Sequence, residues 1–447
     1  MNTTWLLKNG LILDPHTGRR ETGNLLILNG IIADNRTSPP KGTKVIDATG
    51  YTIVPGFIDL HVHLRDPGRT EAESIQTGAA AAARGGFTRI VAMPNTMPPI
   101  DSPKIVNDIK NRGLECGLVK VDIAGCLSKS RNGVELADLK SLAKAKVAAF
   151  SDDGSTLHET ALMSRAAEFA VKLGLPILDH ALDPIAAGNG VMREGVVSQR
   201  LGLPGIPAAA EILAVRRDID IAYATGCAMH IQHVSTAEAV ELIRDAKHRG
   251  ISISGEATPH HITFTDEDIS PDNTNFKINP PLGSSHDREA IINGVADGTL
   301  QILATDHAPH TAADKATGFL NAPFGVTGLE TAVGATFVAL VHSGKMSLED
   351  WVRRWTVGPA TVIGIQPPTL TPGTPANITV LDLTSEYTLQ ASNFLSKSAN
   401  CLFTDTPLIG HAVFTFCEGR MTWHSIDNPT DQSSPFNTLS PSTLHRS

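Results

Sequence analysis

The sequence predicts an α/β protein whose core is a (β/α)8 TIM-like barrel, with a small β domain built from both termini. Residues 53–365 alternate eight short apolar runs with amphipathic segments, which is the order of strands and helices in a parallel barrel. Residues 1–52 and 366–424 instead place turn residues between short β-prone runs. With 447 residues, the chain is long enough for one large domain and a smaller one.

The two ends of the chain are expected to form one β-sandwich-like domain. The N-terminal runs are "WLLKNGLILDP", "GNLLILNGIIADN" and "TKVIDATGYTIVPG", in which Asn-Gly and Asp-Pro are typical of hairpin turns. The C-terminal runs "NITVLDL" and "HAVFTFCEGRMTW" have the same texture. Residues 425–447 are polar and rich in Ser, Thr, Pro and Asn, so we expect a disordered tail there.

The apolar runs of the middle region are predicted to be strands buried on both faces, each followed by a helix. They are "GFIDLHVHL", "TRIVAMPNT", "VKVDIAGCLS", "VAAFSDDG", "LPILDHAL", "AMHIQHVST", "ISISGEATPHH" and "LQILATDHAPH". Helical candidates include "AESIQTGAAAAARGG", "SRAAEFAVKLG", "PAAAEILAVRRDI" and "TAEAVELIRDAKHRG". A doubly wound open sheet is the alternative, because periodicity does not reveal whether the sheet closes.

Composition narrows the class of function. The net charge of -9 and the absence of clustered Lys and Arg argue against nucleic-acid binding and leave a small molecule as the expected partner. The five cysteines form no C-x-x-C pair and are expected to be reduced. Neither a secretory signal nor an apolar stretch of roughly 20 residues is evident, so we expect a cytoplasmic protein without membrane contact.

Metal-ligand side chains follow most of the predicted strands. In a parallel barrel the active site lies at the C-terminal ends of the strands, so these side chains should converge. Imidazoles and carboxylates together suit Zn²⁺, and they outnumber the three protein ligands of a single catalytic zinc. The sequence therefore predicts a two-metal hydrolytic centre acting on an amide. The residues are His61 and His63 on the first strand, Asp152 and Asp153 on the fourth, His180 on the fifth, His233 on the sixth, and Asp306, His307 and His310 on the eighth.

Five motifs make a specific resemblance. "DLHVHLRDPG", "MPNTMPP", "FSDDG", "KINPPLG" and "TDHAPHTAADK" together resemble bacterial type I dihydroorotase of the amidohydrolase superfamily, over residues 9–423. The resemblance implies reversible ring closure of N-carbamoyl-L-aspartate to L-5,6-dihydroorotate in pyrimidine (UMP) biosynthesis.

The resemblance also implies a ligand set with two Zn²⁺ per subunit. His61, His63 and Asp306 resemble the ligands of one zinc, and His180 and His233 those of the other. Asp153 resembles the carboxylate that bridges them together with a hydroxide, although the sequence leaves Asp152 open as an alternative. Asp306 also resembles the catalytic group that accepts and returns the proton.

Substrate contacts are carried over in the same way. Arg65 offers a planar fork for a carboxylate, with pairing to Asp66 as the alternative. His63, Asn95 and His310 resemble further contacts on that side. Asn279 and the backbone at Phe324 and Gly325 resemble contacts to the ring, with turn formation before Pro280 as the alternative for Asn279.

Two departures and two rival functions complete the expectations. Gly283 stands where members of the family usually have arginine, and Leu182 where an acidic residue is common. The rivals are a cyclic amidohydrolase for hydantoins or allantoin, and a non-catalytic scaffold for aspartate transcarbamoylase. The ligand set and Arg65 favour dihydroorotase over both. A homodimer and association of the active enzyme with transcarbamoylase are both compatible with this function.

Overall fold

The computed structural model describes residues 3–34 and 36–425 of the chain. Except for Ser425, the predicted tail lies outside the described residues. Among the residues described, no helix combines the length and the apolar character needed to cross a membrane.

Eight parallel strands form the barrel, and each pairs with its neighbours in chain order. The ring closes where Val62, at the end of the first strand, bridges His307 beyond the eighth. The His63 N–H also donates to the His307 carbonyl at 2.8 Å. The barrel prediction is therefore confirmed, and the open-sheet alternative was wrong. The strands, here called barrel strands one to eight, are Phe57–Val62, Phe87–Ala92, Lys120–Gly125, Ala149–Phe150, Ile177–Asp179, Met229–Ile231, Ile253–Ala257 and Ile302–Leu303.

Helices follow the first seven strands and cover the outside of the barrel. Their ends carry the expected caps: the Ser74 and Thr77 side chains form a capping box, and Gly117 and Gly174 end their helices with φ of 63° and 66°. These outer helices are Ile75–Arg84, Pro103–Cys116, Leu139–Lys144, Thr160–Leu173, Ala208–Thr225, Ala237–His248 and Ser285–Asp297.

Further elements lie in the loops at the C-terminal ends of the strands and after the eighth strand. In the loops these are the helices Pro184–Ala187, Val196–Leu201, Pro259–Thr263 and Ala312–Lys315, the 3₁₀ turns Lys129–Arg131, Asp266–Asp268 and Thr274–Phe276, and the paired strands Met192–Arg193 and Gly205–Ile206. After the eighth strand come Ala332–Thr336, the π-helix Phe337–His342, Leu348–Trp355, Val357–Val362 and the turn Ala391–Asn393.

The two termini share a second, mixed sheet of eight strands. Thr52–Pro55 lies at its centre, parallel to Trp5–Asp14 and antiparallel to Ile378–Thr388. This strand joins the N-terminal and C-terminal parts of the sheet. Its Ile53 and Ile378 of the neighbouring strand pack in the same apolar core. The proposed division at residues 53 and 366 stays a prediction. The strands are Trp5–Asp14, Arg19–Leu28, Ile31–Ile32, Lys44–Asp47, Thr52–Pro55, Ile378–Thr388, Pro407–Cys417 and Arg420–His424.

The terminal sheet is joined to the start of the barrel by buried hydrogen bonds. Thr379 Oγ1 donates to the Gly86 carbonyl at 2.6 Å, and Thr415 Oγ1 donates to the Ala83 carbonyl at 2.7 Å. Gly86 has a φ of 90°, and a Cβ there would lie 2.7 Å from Thr379 Cγ2, so the contact requires glycine. The sheet thus contacts the base of the barrel and leaves the opposite mouth free for the loops.

Candidate active site

The first barrel strand carries its polar side chains into the barrel at alternate positions. Asp59, His61 and His63 share one face because side chains alternate along a strand, and all three are buried. The Asp59 carboxylate accepts from the His61 N–H, the Thr305 N–H and the Thr305 hydroxyl. Asp59 therefore fixes His61 relative to the segment that leads into Asp306.

Three residues at the strand ends adopt left-handed backbone conformations. The φ angles are 57° at Arg65, 34° at His233 and 47° at Asp306. Such angles are unfavourable for residues with a Cβ and occur most often where a site requires one particular side-chain direction. Here they turn three polar side chains toward the barrel mouth.

Asp153 lies at the centre of the predicted ligands. Its Oδ1 is 3.2 Å from His61 Nε2, 3.6 Å from His180 Nδ1 and 3.9 Å from His233 Nε2, and its Oδ2 is 3.3 Å from His63 Nε2. One carboxylate thus faces imidazoles from four different positions in the sequence. A carboxylate in this position can share a metal ion with the imidazoles around it.

Asp306 occupies the side of the cluster next to the first strand. Its Oδ1 lies 3.0 Å from His63 Nε2 and 3.4 Å from His61 Nε2. On the other side, His233 Nε2 and His180 Nδ1 are 2.8 Å apart. The structure therefore brings the six predicted ligands together around Asp153, with His61 close enough to share a metal either with Asp153 and His233 or with His63 and Asp306.

The donor atoms fit metal ions. His61 Nε2 and both Asp153 carboxylate oxygens are buried without a hydrogen-bond partner, and buried polar atoms are costly in that state. The ligand atoms of His61, Asp153 and His233 lie within 4.8 Å of one another, as do those of His61, His63 and Asp306. Nitrogen and carboxylate donors at this spacing can hold a divalent cation such as zinc.

The charges of the cluster are strongly coupled. Burial by itself would raise the pKa of Asp153, but His61 and His63 hold it well below its ordinary value. Burial by itself would lower the pKa of His61, but Asp153, Asp306 and Glu256 hold it well above its ordinary value. Burial and the neighbouring His180 lower the pKa of His233 well below normal. The site therefore favours an ionised Asp153 and a neutral His233, the forms that bind metals, whereas His61 would release a proton when a metal binds.

Asp152 faces away from the histidines. Its Oδ1 accepts from the Leu127 and Ser128 N–H groups at 2.9 and 3.1 Å, and its Oδ2 accepts from the Ser128 hydroxyl. Because these bonds occupy both oxygens, Asp152 holds the loop after the third strand, and Asp153 is the residue that meets the imidazoles.

The predicted carboxylate-binding residues surround the first strand end. Arg65 donates from Nε to the Pro309 carbonyl at 3.1 Å, and its Nη2 is 3.3 Å from His310 Nε2. His63 Nδ1 lies 2.8 Å from Asn95 Oδ1, so the imidazole donates there and keeps the Nε2 lone pair toward Asp306. Asp66, the alternative partner of Arg65, pairs with Arg112 instead.

The predicted ring-contact residues lie on the other side. Asn279 Nδ2 is 3.0 Å from His180 Nε2, and Asn279 Oδ1 is buried without a partner. Rotating this amide by 180° would let His180 Nε2 donate to the oxygen and leave Nδ1 free for a metal. His310 Nε2 donates to the Phe324 carbonyl at 2.8 Å, and Gly325, with a φ of 122°, donates from N to the Lys277 carbonyl.

Glu256 is a site residue that the sequence analysis missed. It is fully buried in the seventh strand, with Oε1 2.6 Å from His61 Nδ1 and Oε2 3.0 Å from His230 Nε2. Burial opposes its ionisation, but His61 and His230 lower its pKa to about 2. The signal in the sequence was a carboxylate inside the apolar run "ISISGEA", where a buried charge requires a partner.

Comparisons with known proteins agree on the family. The family described as Dihydro-orotase-like matches residues 50–239. The protein named Dihydroorotase from Pelotomaculum thermopropionicum is 44% identical, with 93% of this chain and 97% of the relative covered. Its namesake from Syntrophus aciditrophicus is 42% identical, with 94% and 99% covered.

Solved structures show the same fold at lower identity. L-hydantoinase (dihydropyrimidinase) from Arthrobacter aurescens superposes with a TM-score of 0.83 at 23% identity, covering 95% of this chain and 96% of that one. Dihydropyrimidinase from Brevibacillus agri NCHU1002 gives 0.80 at 22% identity, covering 94% and 95%. With relatives above 40% identity along nearly its whole length, the chain is an enzyme of the dihydroorotase family, within the hydrolases of cyclic amides.

Proposed function

We propose that the protein is a dihydroorotase that interconverts N-carbamoyl-L-aspartate and L-5,6-dihydroorotate in pyrimidine biosynthesis. The observation that carries the proposal is the position of Asp153 among four imidazoles, with Asp306 beside two of them. Relatives at 40–44% identity that bear the name Dihydroorotase support the choice of substrate.

The proposed centre holds two Zn²⁺ ions. His61, His63 and Asp306 would bind one, His180 and His233 the other, and Asp153 both. Bound zinc would supply a Lewis acid for the substrate carbonyl and would lower the pKa of water at the site. Glu256 and Asn95 each accept from Nδ1 of a ligand imidazole, and this keeps the Nε2 lone pairs directed at the centre.

Asp306 is proposed to carry the proton. In the hydrolytic direction it accepts a proton from the attacking water and donates it to the ring nitrogen as the C–N bond breaks. The product carries one carboxylate more than the ring, so one proton is released to solvent. In ring closure the same steps run backwards, and the terminal ureido nitrogen gives its proton to Asp306.

Substrate orientation is assigned to the residues around this centre. Arg65, Asn95 and His310 would hold the carboxylate that does not react, with Arg65 as the cationic partner. Asn279 and the backbone at Phe324 and Gly325 would contact the ring. Burial and the nearby Arg65 lower the pKa of His310 to about 3, so His310 acts as a neutral hydrogen-bonding group.

The test is turnover of L-dihydroorotate by zinc-loaded protein, followed by the ultraviolet absorbance of the ring amide. We expect turnover that falls by at least about a hundredfold in Asp306→Asn. Asp350→Asn, at the exposed start of a helix, is the matched control and should retain full activity.

A hydantoin serves as the competing substrate. Turnover of the hydantoin without turnover of dihydroorotate would overturn the proposal and leave a different cyclic amidohydrolase. Absence of both activities in protein that binds two zinc ions would instead favour a scaffold.

Cytoplasmic location, homodimer formation and association with aspartate transcarbamoylase are further proposals that rest on composition and resemblance. Sedimentation velocity of the protein alone, and then mixed with transcarbamoylase, tests the last two. A monomer that does not shift in the mixture would overturn both.

A further inference from the structure

Two lysines are buried beside the proposed substrate site. Lys277 is 3% exposed and precedes the Asn279 loop, and Lys315 is 6% exposed and ends the short helix Ala312–Lys315. Most of the neighbouring segment 311–320 is open to solvent, whereas Lys315 points inward. Burying an ammonium group is costly, so these two positions require an explanation.

Neither lysine has an anionic partner within the part of the chain that the structure describes. No described carboxylate lies within 4.0 Å of either ammonium nitrogen, in contrast to surface lysines such as Lys345, which pairs with Glu289 at 2.8 Å. Burial and the charge of Lys277 lower the pKa of Lys315 to about 7. Below pH 7 the pair therefore carries positive charge that no described carboxylate compensates.

Both lysines hold the chain that leads into Phe324. Lys277 Nζ donates to the Leu320 carbonyl at 2.8 Å and lies 4.7 Å from the centre of the Phe324 ring. Lys315 Nζ donates to the Pro323 carbonyl at 3.0 Å. Two ammonium groups thus fix the turn from Leu320 to Phe324 from its inner side.

This turn is connected directly to the substrate-binding residues. The Gly325 N–H donates to the Lys277 carbonyl at 2.9 Å, and the Phe324 carbonyl accepts from His310, which contacts Arg65. Burial, Arg65 and Lys315 all lower the pKa of His310. Lys315 therefore interacts electrostatically with His310, the imidazole that lies next to Arg65.

We propose that Lys277 and Lys315 form a buried cationic pair that positions the Pro323–Gly325 segment and favours the doubly charged, ring-open substrate over the singly charged ring. The proposal rests on the proposed function. It makes the two lysines positioning residues that also determine charge selectivity.

The charge argument follows from the reaction. N-carbamoyl-L-aspartate carries two carboxylates and L-dihydroorotate one, because ring closure consumes a carboxylate and a proton and releases water. A fixed positive charge outside the centre therefore interacts with two charges in one ligand and with one in the other. Removing that charge should lower the binding affinities of the two ligands by unequal factors.

The experiment is calorimetric titration of zinc-loaded protein with each ligand at pH 6.5, in an Asp306→Asn background that prevents turnover. Lys277→Met and Lys315→Met should each weaken the binding of N-carbamoyl-L-aspartate about tenfold and that of L-dihydroorotate about threefold. The difference arises because the lysine interacts with two charges in the first ligand and with one in the second. Lys277→Arg keeps the charge and should retain the original ratio of affinities, even where both affinities decline.

Lys345→Met is the matched control, because it removes a lysine at the surface, and it should change neither affinity. The proposal would be overturned if the Met variants bind both ligands more weakly by the same factor, or if they bind both with unchanged affinity. If the Met variants do not fold, the ratio of the two affinities is measured at increasing salt concentration in protein that keeps both lysines. Buried charges are screened little, so a ratio that collapses to one by 0.5 M NaCl would overturn the proposal as well.

Failure of the two proposals can be distinguished. If the unsubstituted enzyme neither binds nor converts dihydroorotate, the proposed function fails. If it converts dihydroorotate while the lysine variants keep the original ratio of affinities, only the role of the lysine pair fails.

Discussion

The Oε1 atom of Glu256 lies 2.6 Å from Nδ1 of His61, although 195 residues separate them in the chain. The same oxygen also accepts from the His233 N–H at 3.2 Å. One carboxylate in the seventh strand thus fixes an imidazole of the first strand and the backbone of a second ligand after the sixth. A carboxylate behind a ligand histidine fixes the tautomer and raises the basicity of the metal-facing nitrogen.

Replacing Glu256 by Gln should therefore weaken metal binding without removing a ligand. The amide presents only one acceptor oxygen and no charge, so it cannot serve His61 and His230 together. We expect zinc affinity to fall about ten- to hundredfold, as measured by competition with a chromophoric chelator. Glu238→Gln, in the exposed first turn of a helix, is the control, and equal affinities in the two variants would contradict this role.

The adjacent carboxylates Asp152 and Asp153 should respond differently to the same change. Asp153→Asn removes the carboxylate that lies between the two histidine groups, so we expect loss of at least one zinc per chain by elemental analysis. Asp152→Asn disturbs the hydrogen bonds to Leu127 and Ser128 and should lower the free energy of unfolding by about 1–3 kcal/mol. Its zinc content should remain unchanged. Zinc loss in Asp152→Asn with full occupancy in Asp153→Asn would reverse the assignment.

Arg65→Lys should affect substrate binding more than the chemical step. Lysine cannot reproduce both the planar fork and the Nε bond to the Pro309 carbonyl. We expect KM for L-dihydroorotate to rise about tenfold or more, with kcat changed less, because Arg65 contributes no metal ligand. Arg69→Lys is the control, since Arg69 pairs with Glu71 and Asp314 near the surface. A change confined to kcat would exclude a binding role for Arg65.

Much of the fold could be predicted because each barrel strand lies in a mostly apolar run, and such runs are visible in the sequence. The candidate site could be predicted in part because parallel strands bring their C-terminal ends together, so that His61 and Asp306 had to meet. The resemblance pointed to Asp153, but the residues themselves left Asp152 open, since adjacent residues at a strand end take opposite directions and the phase depends on the local turn.

Interior partners were harder to predict. Glu256 contacts His61 only because the barrel closes, and nothing local in the sequence indicates that pairing. In the sequence, Lys277 and Lys315 look like ordinary surface lysines. Only the structure shows that both are buried under the loop to which they donate hydrogen bonds. Long-range contacts of this kind depend on tertiary structure and leave little trace in periodicity.

Lys315 should make the stability of the protein depend on pH in a definite direction. Burial and Lys277 lower the pKa of Lys315 to about 7 from 10.5, so between these values the unfolded chain binds more protons than the folded one. The free energy of unfolding should therefore rise with pH through this window, and below pH 7 the full cost of the buried charge is present. Relative to Lys315→Met, which has no such group, the unsubstituted protein should gain about 3 kcal/mol between pH 7 and 9.5 in urea unfolding. Lys345→Met, at the surface, should follow the unsubstituted protein at every pH. Parallel curves for Lys315→Met and the unsubstituted protein would show instead that Lys315 titrates normally, because a group with the same pKa in both states contributes nothing to the slope.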